Sequence, residues 1–310
     1  MNVFTQEFLK IDNSKIVKEI REKGFFKFEN ALTSEFINNI ISDVKTADIG
    51  LNKNNVAGVY FTHGNQFFLT HMLAASKSFY NYCTNSKVIK FCKEMFGDLF
   101  RLKALRYYEN FGGQHMQWHT DNRRYEKSKS VETHTTDPGI IFLAYLSDVE
   151  DGEFQYIQKS HIWSGQNTHH DYTVDYVNQN YKKDIVGFKG KKGTILIYNS
   201  WGVHRAKPTT NTKFVRKTLF FQVEKNINQS EPVLLNAEFL DEVNDDIKMY
   251  LGFGKKANNK IYPTTDIYTM PLNKKTFGII YRWFISRFVL YMPGFLRKKI
   301  RNFYNIPSNK

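Results

Sequence analysis

The chain has 310 residues, 41% of them hydrophobic and 16% aromatic, which excludes a disordered protein and leaves room for a large core. Two cysteines, Cys83 and Cys92, make neither a disulfide framework nor a CxxC pair, and residues 1–16 lack the charged start and apolar run of a signal peptide; a reducing, cytoplasmic setting is expected. The net charge of +14 gathers at one end, because nine Lys and Arg follow Asp266 and no Asp or Glu does; elsewhere, charge argues only weakly for a polyanion partner.

Ser14 is expected to cap a first helix with Ile16, Val17 and Ile20 at helical spacing, stopped by Gly24. Phe25 to Phe28 reads as a short strand. Thr33-Ser34-Glu35 opens a second helix carrying Phe36, Ile37, Ile40, Ile41 and Val44. This is an N-terminal helical layer. Residues 49–75 are mixed, and His63 and His71 there have no partner at ligand spacing, so they read as structural or surface histidines. A further helix is expected from Ser86 to Met95.

Strands dominate from Arg101 onward. Leu102 to Glu109 alternates, with Ala104, Arg106 and Tyr108 on one face. Ile140 to Leu146 is a continuous apolar strand. Asp151-Gly152 is expected to turn the chain into Glu153 to Ile157, and Gly193 to Tyr198 and Phe214 to Glu224 complete the set. Short strands, Gly-rich turns and no interleaved helical pattern imply antiparallel sheets. The expected fold is mainly β with flanking helices: a double-stranded β-helix (jelly-roll, cupin-like) core over residues 1–230. Residues 161–187, polar and rich in Tyr, Asn and His, are expected to lie over the mouth of the barrel.

The chemistry centres on Gln117-Trp118-His119-Thr120-Asp121. On a strand, His119 and Asp121 point to one face and can converge on one metal ion. A third ligand is offered by His204, 85 residues later, and Arg216 follows twelve residues after that. Two His and one carboxylate form the facial set of non-haem Fe(II) oxygenases, with positions left open for cosubstrate and O₂. Arg216 could grip the distal carboxylate of 2-oxoglutarate in a bidentate fork. Alone, HxD is a weak signal: Asp121 could cap a turn, and Arg216 could be an ordinary strand-face cation between Lys213 and Lys217.

From about residue 15 to 224 the chain resembles the phytanoyl-CoA dioxygenase-like family of Fe(II)/2-oxoglutarate oxygenases. The likeness rests on Gly24-Phe25, Leu32-Thr33-Ser34-Glu35, the WHxD motif Trp118-His119-Thr120-Asp121, Tyr145 to Val149 with Gly152-Glu153-Phe154 and Ser160-His161, and Gly193-Thr194 through His204 to Arg216. It implies iron ligation by His119, Asp121 and His204 and 2-oxoglutarate binding by Arg216, with Thr218 and Tyr108 assisting. Ala206 stands where many members have Ser, and Gln158-Lys159 where Pro-Gly is usual. Asp121 is present, which argues against the halide-binding variant of the site. The implied reaction is dioxygenase chemistry, hydroxylation of a small or lipid-linked metabolite with release of succinate and CO₂. Arg106, Trp118, Asn122, Arg123 and Trp163 are the residues expected to face substrate, although alternation also allows Trp118 to be core. His161 is expected to have a structural role near the site, His169 and His170 to be a solvated loop pair, and His115 no ligand.

Two competing readings remain. One is a catalytically inactive jelly-roll metal- or ligand-binding protein, against which the intact HxD…H…R set argues. The other, an oxygenase of nucleobases with the tail on nucleic acid, ranks low because no basic stripe brackets the metal motif. Residues 231–310 read as a helical, basic and aromatic extension. Phe277 to Tyr291 is too short and too charged to span a bilayer; with the basic piece after Pro293-Gly294 it suits peripheral contact with an anionic membrane over residues 277–304.

Overall fold

The computed structural model describes residues 2–46, 59–62, 66–69, 72–111, 117–121, 138–163, 172–209, 211, 213–225, 235–240, 243–253, 281, 284, 288, 292, 293, 295, 296 and 299. The elements are, in order, α1 (Gln6–Leu9), α2 (Asn13–Lys23), β1 (Phe25–Phe28), α3 (Ser34–Thr46), β2 (Val59–Thr62), β3 (Gln66–Leu69), α4 (Met72–Ala75), α5 (Lys77–Cys83), α6 (Ser86–Phe96), β4 (Arg101–Phe111), β5 (Ile140–Tyr145), β6 (Val149–Ile157), α7 (Val174–Tyr181), β7 (Ile185–Gly190), β8 (Ile195–Asn199), β9 (His204–Ala206), β10 (Val215–Glu224) and α8 (Asp245–Leu251).

The helices start where side chains can take up the free amides of a first turn. Asp12, not Ser14, caps α2, since its carboxylate reaches the Ser14 amide at 3.0 Å. Thr33 caps α3 through the Phe36 amide, and Asn85 caps α6. The two short helices α4 and α5 were not apparent as such in the sequence. Ser76 caps α5, and Phe79, Tyr82 and Cys83 are buried within it.

Every strand pair among the described residues is antiparallel. A seven-stranded sheet has the order β1-β8-β5-β10-β4-β3-β2, and a three-stranded sheet the order β7-β6-β9. One face of the large sheet packs on the N-terminal helices through Leu219, Phe221, Val223, Phe142 and Ile197. Its other face meets the small sheet through Ile141, Tyr145, Leu196 and Tyr198 against Phe154, Tyr156 and Phe188. This is the two-sheet jelly roll the strand pattern implied.

Two irregularities shape the interior. Gly152, at φ 63°, lies within β6 rather than in a turn before it, so one long strand with a break in register replaces the expected turn. In β4 the pairing jumps from Gln222↔Ala104 to Val223↔Leu102, leaving Lys103 as the extra residue of a bulge. The bulge lets Lys103 reach Glu224, which shares a strand face with Gln222.

The described part of the 161–187 insert does not cross the barrel mouth. Thr173 caps α7, and Tyr172, Val177, Tyr181 and Ile185 pack with Trp118, Ile157 and Val203. Those three alternate with His119, Tyr156 and His204, so the insert covers the outer face of the small sheet. The chain divides into compact units Met1–Tyr262 and Pro263–Lys310. This division falls later than the boundary at 230, because Tyr250 and Leu251 of α8 are buried in the main core. In the second unit, Tyr281, Phe284, Phe288, Phe295, Leu296 and Lys299 are helical. No helix among the described residues is long and apolar enough to cross a membrane.

Candidate metal centre

His119 and His204 face each other across an isolated antiparallel bridge, with the His119 amide 3.0 Å from the His204 carbonyl and the return bond at 2.9 Å. Two residues on, the Asp121 amide donates to the Ser200 carbonyl at 2.8 Å. The HxD stretch is thereby sewn to the loop that carries the second histidine. One ligand atom from each of His119, Asp121 and His204 lies within 4.8 Å of the others. Nε2 of His119 is 3.7 Å from Asp121 Oδ1, and Nε2 of His204 is 3.3 Å from Oδ2.

Both imidazoles are held by the nitrogen that does not face the carboxylate. Nδ1 of His119 lies 2.8 Å from the Gln117 carbonyl, and Nδ1 of His204 lies 2.9 Å from the Gly202 carbonyl. A carbonyl only accepts, so each Nδ1 carries a proton and Nε2 is the nitrogen turned to the metal site. Burial pushes the Asp121 carboxyl up, but His204, His119 and Lys103 outweigh it and bring it down to about 2. Two imidazole nitrogens and one carboxylate oxygen suit a divalent first-row ion such as iron.

The His204 ring is walled by Tyr198, Phe154 and Tyr156, at centroid distances of 5.1, 5.4 and 6.4 Å. The loop before it is braced by Ser160, whose hydroxyl accepts from the Val203 amide at 2.7 Å and donates to the Ile157 carbonyl at 2.6 Å. His161 is buried beside it, with Nε2 3.0 Å from the Arg21 carbonyl, tying this corner to α2.

Deeper between the sheets, Arg216 is buried. It donates through Nη1 to the Gly152 carbonyl, while its buried Nε has no hydrogen-bond partner among the described residues. Burial lowers its pKa, and Tyr145 and Glu153 oppose that shift. A buried guanidinium with an unused donor fits a carboxylate such as one end of 2-oxoglutarate. Thr218 follows on the same strand face and is register partner to Tyr108 and Tyr145. Tyr108 packs edge-on against Phe220, whose register partner is Arg106, so Arg106 and Tyr108 share one face of the large sheet.

Trp118 and Trp163 are placed otherwise. Trp118 is fully buried in a cluster with Ile157 and Val203, with the Arg205 guanidinium 4.3 Å from its ring. Trp163 packs on Tyr181 in the same outer cluster. Both belong to the joint between the small sheet and the insert, not to a substrate-facing wall. Asn122, Arg123, His63, His71, His115, His169 and His170 lie outside the described residues.

A further polar group is not apparent in the sequence. Lys103 and Glu224 are buried and form a 2.6 Å ion pair, and Gln222 donates to the same carboxylate oxygen at 2.7 Å. The sequence signal is weak, because β4 and β10 carry other charged residues beside these two.

A jelly roll with a His-Asp-His set in its interior defines the class of Fe(II)/2-oxoglutarate-dependent oxygenases, and iron and 2-oxoglutarate are the cofactors this site fits. The family model "Phytanoyl-CoA dioxygenase (PhyH)" matches residues 21–218, and the chain belongs to that family. No curated protein matches the sequence. Among solved structures, the fold is similar to HygX from Streptomyces hygroscopicus with nickel and 2-oxoglutarate bound, at TM-score 0.56 and 16% identity, covering 73% of this chain and 93% of HygX. It is also similar to the epimerase SnoN in complex with Fe³⁺, α-ketoglutarate and nogalamycin RO, at TM-score 0.53 and 13% identity, covering 75% and 90%. A third is the carbocyclase SnoK from nogalamycin biosynthesis, at TM-score 0.52 and 13% identity, covering 70% and 85%.

Proposed function

We propose that this protein is an Fe(II)- and 2-oxoglutarate-dependent dioxygenase that hydroxylates a C–H bond of a small or lipid-linked metabolite, releasing succinate and CO₂. One observation carries the reading: two imidazoles anchored through Nδ1 converge with a carboxylate, in an interior that also holds a buried arginine with an unused donor. Iron with 2-oxoglutarate and O₂ supplies the oxidising power for C–H cleavage. The chain's own work is holding and excluding. His119, Asp121 and His204 would hold the metal. Arg216 takes the distal carboxylate, Thr218 adds its hydroxyl on the same face, and Tyr108 donates beside it. Phe154, Tyr156 and Tyr198 keep water from the His204 side. Arg106, with Asn122 and Arg123 directly after the metal motif, is assigned to substrate.

The test is succinate release from 2-oxoglutarate by anaerobically loaded Fe(II) protein on admission of air. It is paired with calorimetric binding of 2-oxoglutarate in the presence of Ni(II). Slow uncoupled turnover in wild type, absent in His119→Ala and Arg216→Ala, is the expected result. Absence of both turnover and metal-dependent 2-oxoglutarate binding would leave a jelly-roll binding protein of another kind. Because SnoN is an epimerase and SnoK a carbocyclase, product analysis on any substrate found must show oxygen gained at carbon.

A further inference from the structure

His119 and His204 are each fixed twice, by the backbone bridge between them and by a carbonyl on Nδ1. Asp121 is not. Apart from the two histidines, it has one hydrogen-bond partner among the described residues: its amide donates to the Ser200 carbonyl at 2.8 Å. Ser200 is fully buried, and its other polar groups are all committed to Gly139. The Ser200 amide donates to the Gly139 carbonyl at 2.9 Å, and the Ser200 hydroxyl oxygen accepts from the Gly139 amide at 2.9 Å. Without that hydroxyl the buried Gly139 amide loses its one partner among the described residues.

Gly139 in turn rests on the buried polar group of β4 and β10. A Cβ at Gly139 would lie 2.5 Å from Gln222 Nε2 and 3.0 Å from both Cγ and Oε1 of Glu224. Those side chains have little freedom to yield, because Lys103 and Gln222 hold the same Glu224 oxygen at 2.6 and 2.7 Å. Desolvation offsets much of what a buried ion pair adds to stability, so its presence here suits a task other than stability. Lys103 helps to hold the Asp121 carboxyl down, and Asp121 helps to push the Glu224 carboxyl up, which puts the group within electrostatic reach of the ligand.

We propose that Ser200 is a positioning residue for the Asp121 ligand, and that Lys103, Gln222 and Glu224 form the buried stop against which Gly139 holds it. The contact runs from the ion pair to Gly139, from Gly139 to Ser200, and from Ser200 to the Asp121 amide. Moving any link lets Asp121 shift while the bridge between the histidines stays in place. The inference rests on the reading that His119, Asp121 and His204 hold the metal.

The experiment combines calorimetric titration with Ni(II) and the visible absorption spectrum of the Co(II)-loaded protein. Full-length wild type is compared with Ser200→Ala and Gly139→Ala, with Asp121→Ala and His119→Ala as references, and far-UV circular dichroism checks each fold. Both test variants are expected to bind Ni(II) about 10- to 100-fold more weakly, the range for groups that orient a ligand. Their Co(II) spectra should move toward that of Asp121→Ala. Ser200→Ala binding Ni(II) as wild type does overturns the role of Ser200, and Gly139→Ala doing so overturns the buried stop. Weaker binding with an unmoved Co(II) spectrum overturns the proposal too, since it would reflect a loosened fold. Wild type that takes up no Ni(II), or His119→Ala that binds it equally well, overturns the metal-site reading itself.

Discussion

Nδ1 of His204 donates to the carbonyl oxygen of Gly202 at 2.9 Å, so the backbone two residues ahead of the ligand sets which ring nitrogen is free. Gly202 is pressed against Tyr156, and a Cβ there would overlap the phenol ring. Tyr156 is in turn fixed by its hydroxyl, which donates to the Asn199 carbonyl at 3.2 Å. Glycine is thus required for close approach of backbone to ring, and the ring backs the metal ligand.

Gly202→Ala must therefore push the loop away from Tyr156 and turn the His204 ring. The expected outcome is a loss of metal affinity of about 10- to 100-fold, the range for disturbing a group that orients a ligand, with the chain still folded. Calorimetric titration with Ni(II) measures the affinity, and circular dichroism checks the fold. An unchanged affinity would show that the Gly202 carbonyl does not hold the imidazole.

Arg216→Lys separates charge from geometry at the proposed cosubstrate site. A lysine keeps the cation but loses the planar fork and, in part, the bond to Gly152. The expected result is at least about tenfold weaker 2-oxoglutarate binding, with Ni(II) affinity unchanged because the three ligands are untouched. If metal binding falls in parallel, Arg216 acts on the fold rather than on the cosubstrate.

Much of this site was legible in the sequence because its signals are local. The i, i+2 pattern of His119 and Asp121, the apolar strand Ile140 to Leu146, and Arg216 in a β-branched and aromatic run depend on short-range alternation. What escaped was set by tertiary context. Whether Trp118 faces the substrate or the outside depends on what covers it, and that cover includes α7, capped by Thr173. Lys103 reads as an outlier in an alternating strand until the bulge opposite Gln222 turns it toward Glu224. Gly152 reads as a turn signal because a left-handed glycine in a long strand looks the same in one dimension.

Cys83 and Cys92 are both fully buried, and burial raises both thiols far above their ordinary range. Thiolate is the reactive form. In the native protein neither should react with an aromatic disulfide reagent on a timescale of minutes, whereas both should react at once in denaturant. Fast labelling of one thiol in native buffer would mean that α5 or α6 opens readily.

The Lys103–Glu224 pair supplies a pH signature. Burial pushes the Glu224 carboxyl up to about 7 from an ordinary 4.5, against the opposing pull of Lys103 and Gln222. The folded chain therefore keeps a proton that the unfolded chain releases. The associated stability is fully present below pH 4.5 and is lost as pH rises through about 7. Over that window wild-type stability should fall by at most about 3 kcal/mol from this group. Near about pH 8, where Glu224 is ionised, Lys103→Met or Glu224→Gln alone breaks a buried ion pair and should cost about 3 kcal/mol. The double variant Lys103→Met/Glu224→Gln removes both charges, so it should cost much less than the sum of the two and lose the pH slope. Urea unfolding of the four proteins across that pH range measures both effects. Additive costs would mean that the two side chains are held by other neighbours. A slope surviving in the double variant would place the titrating proton elsewhere.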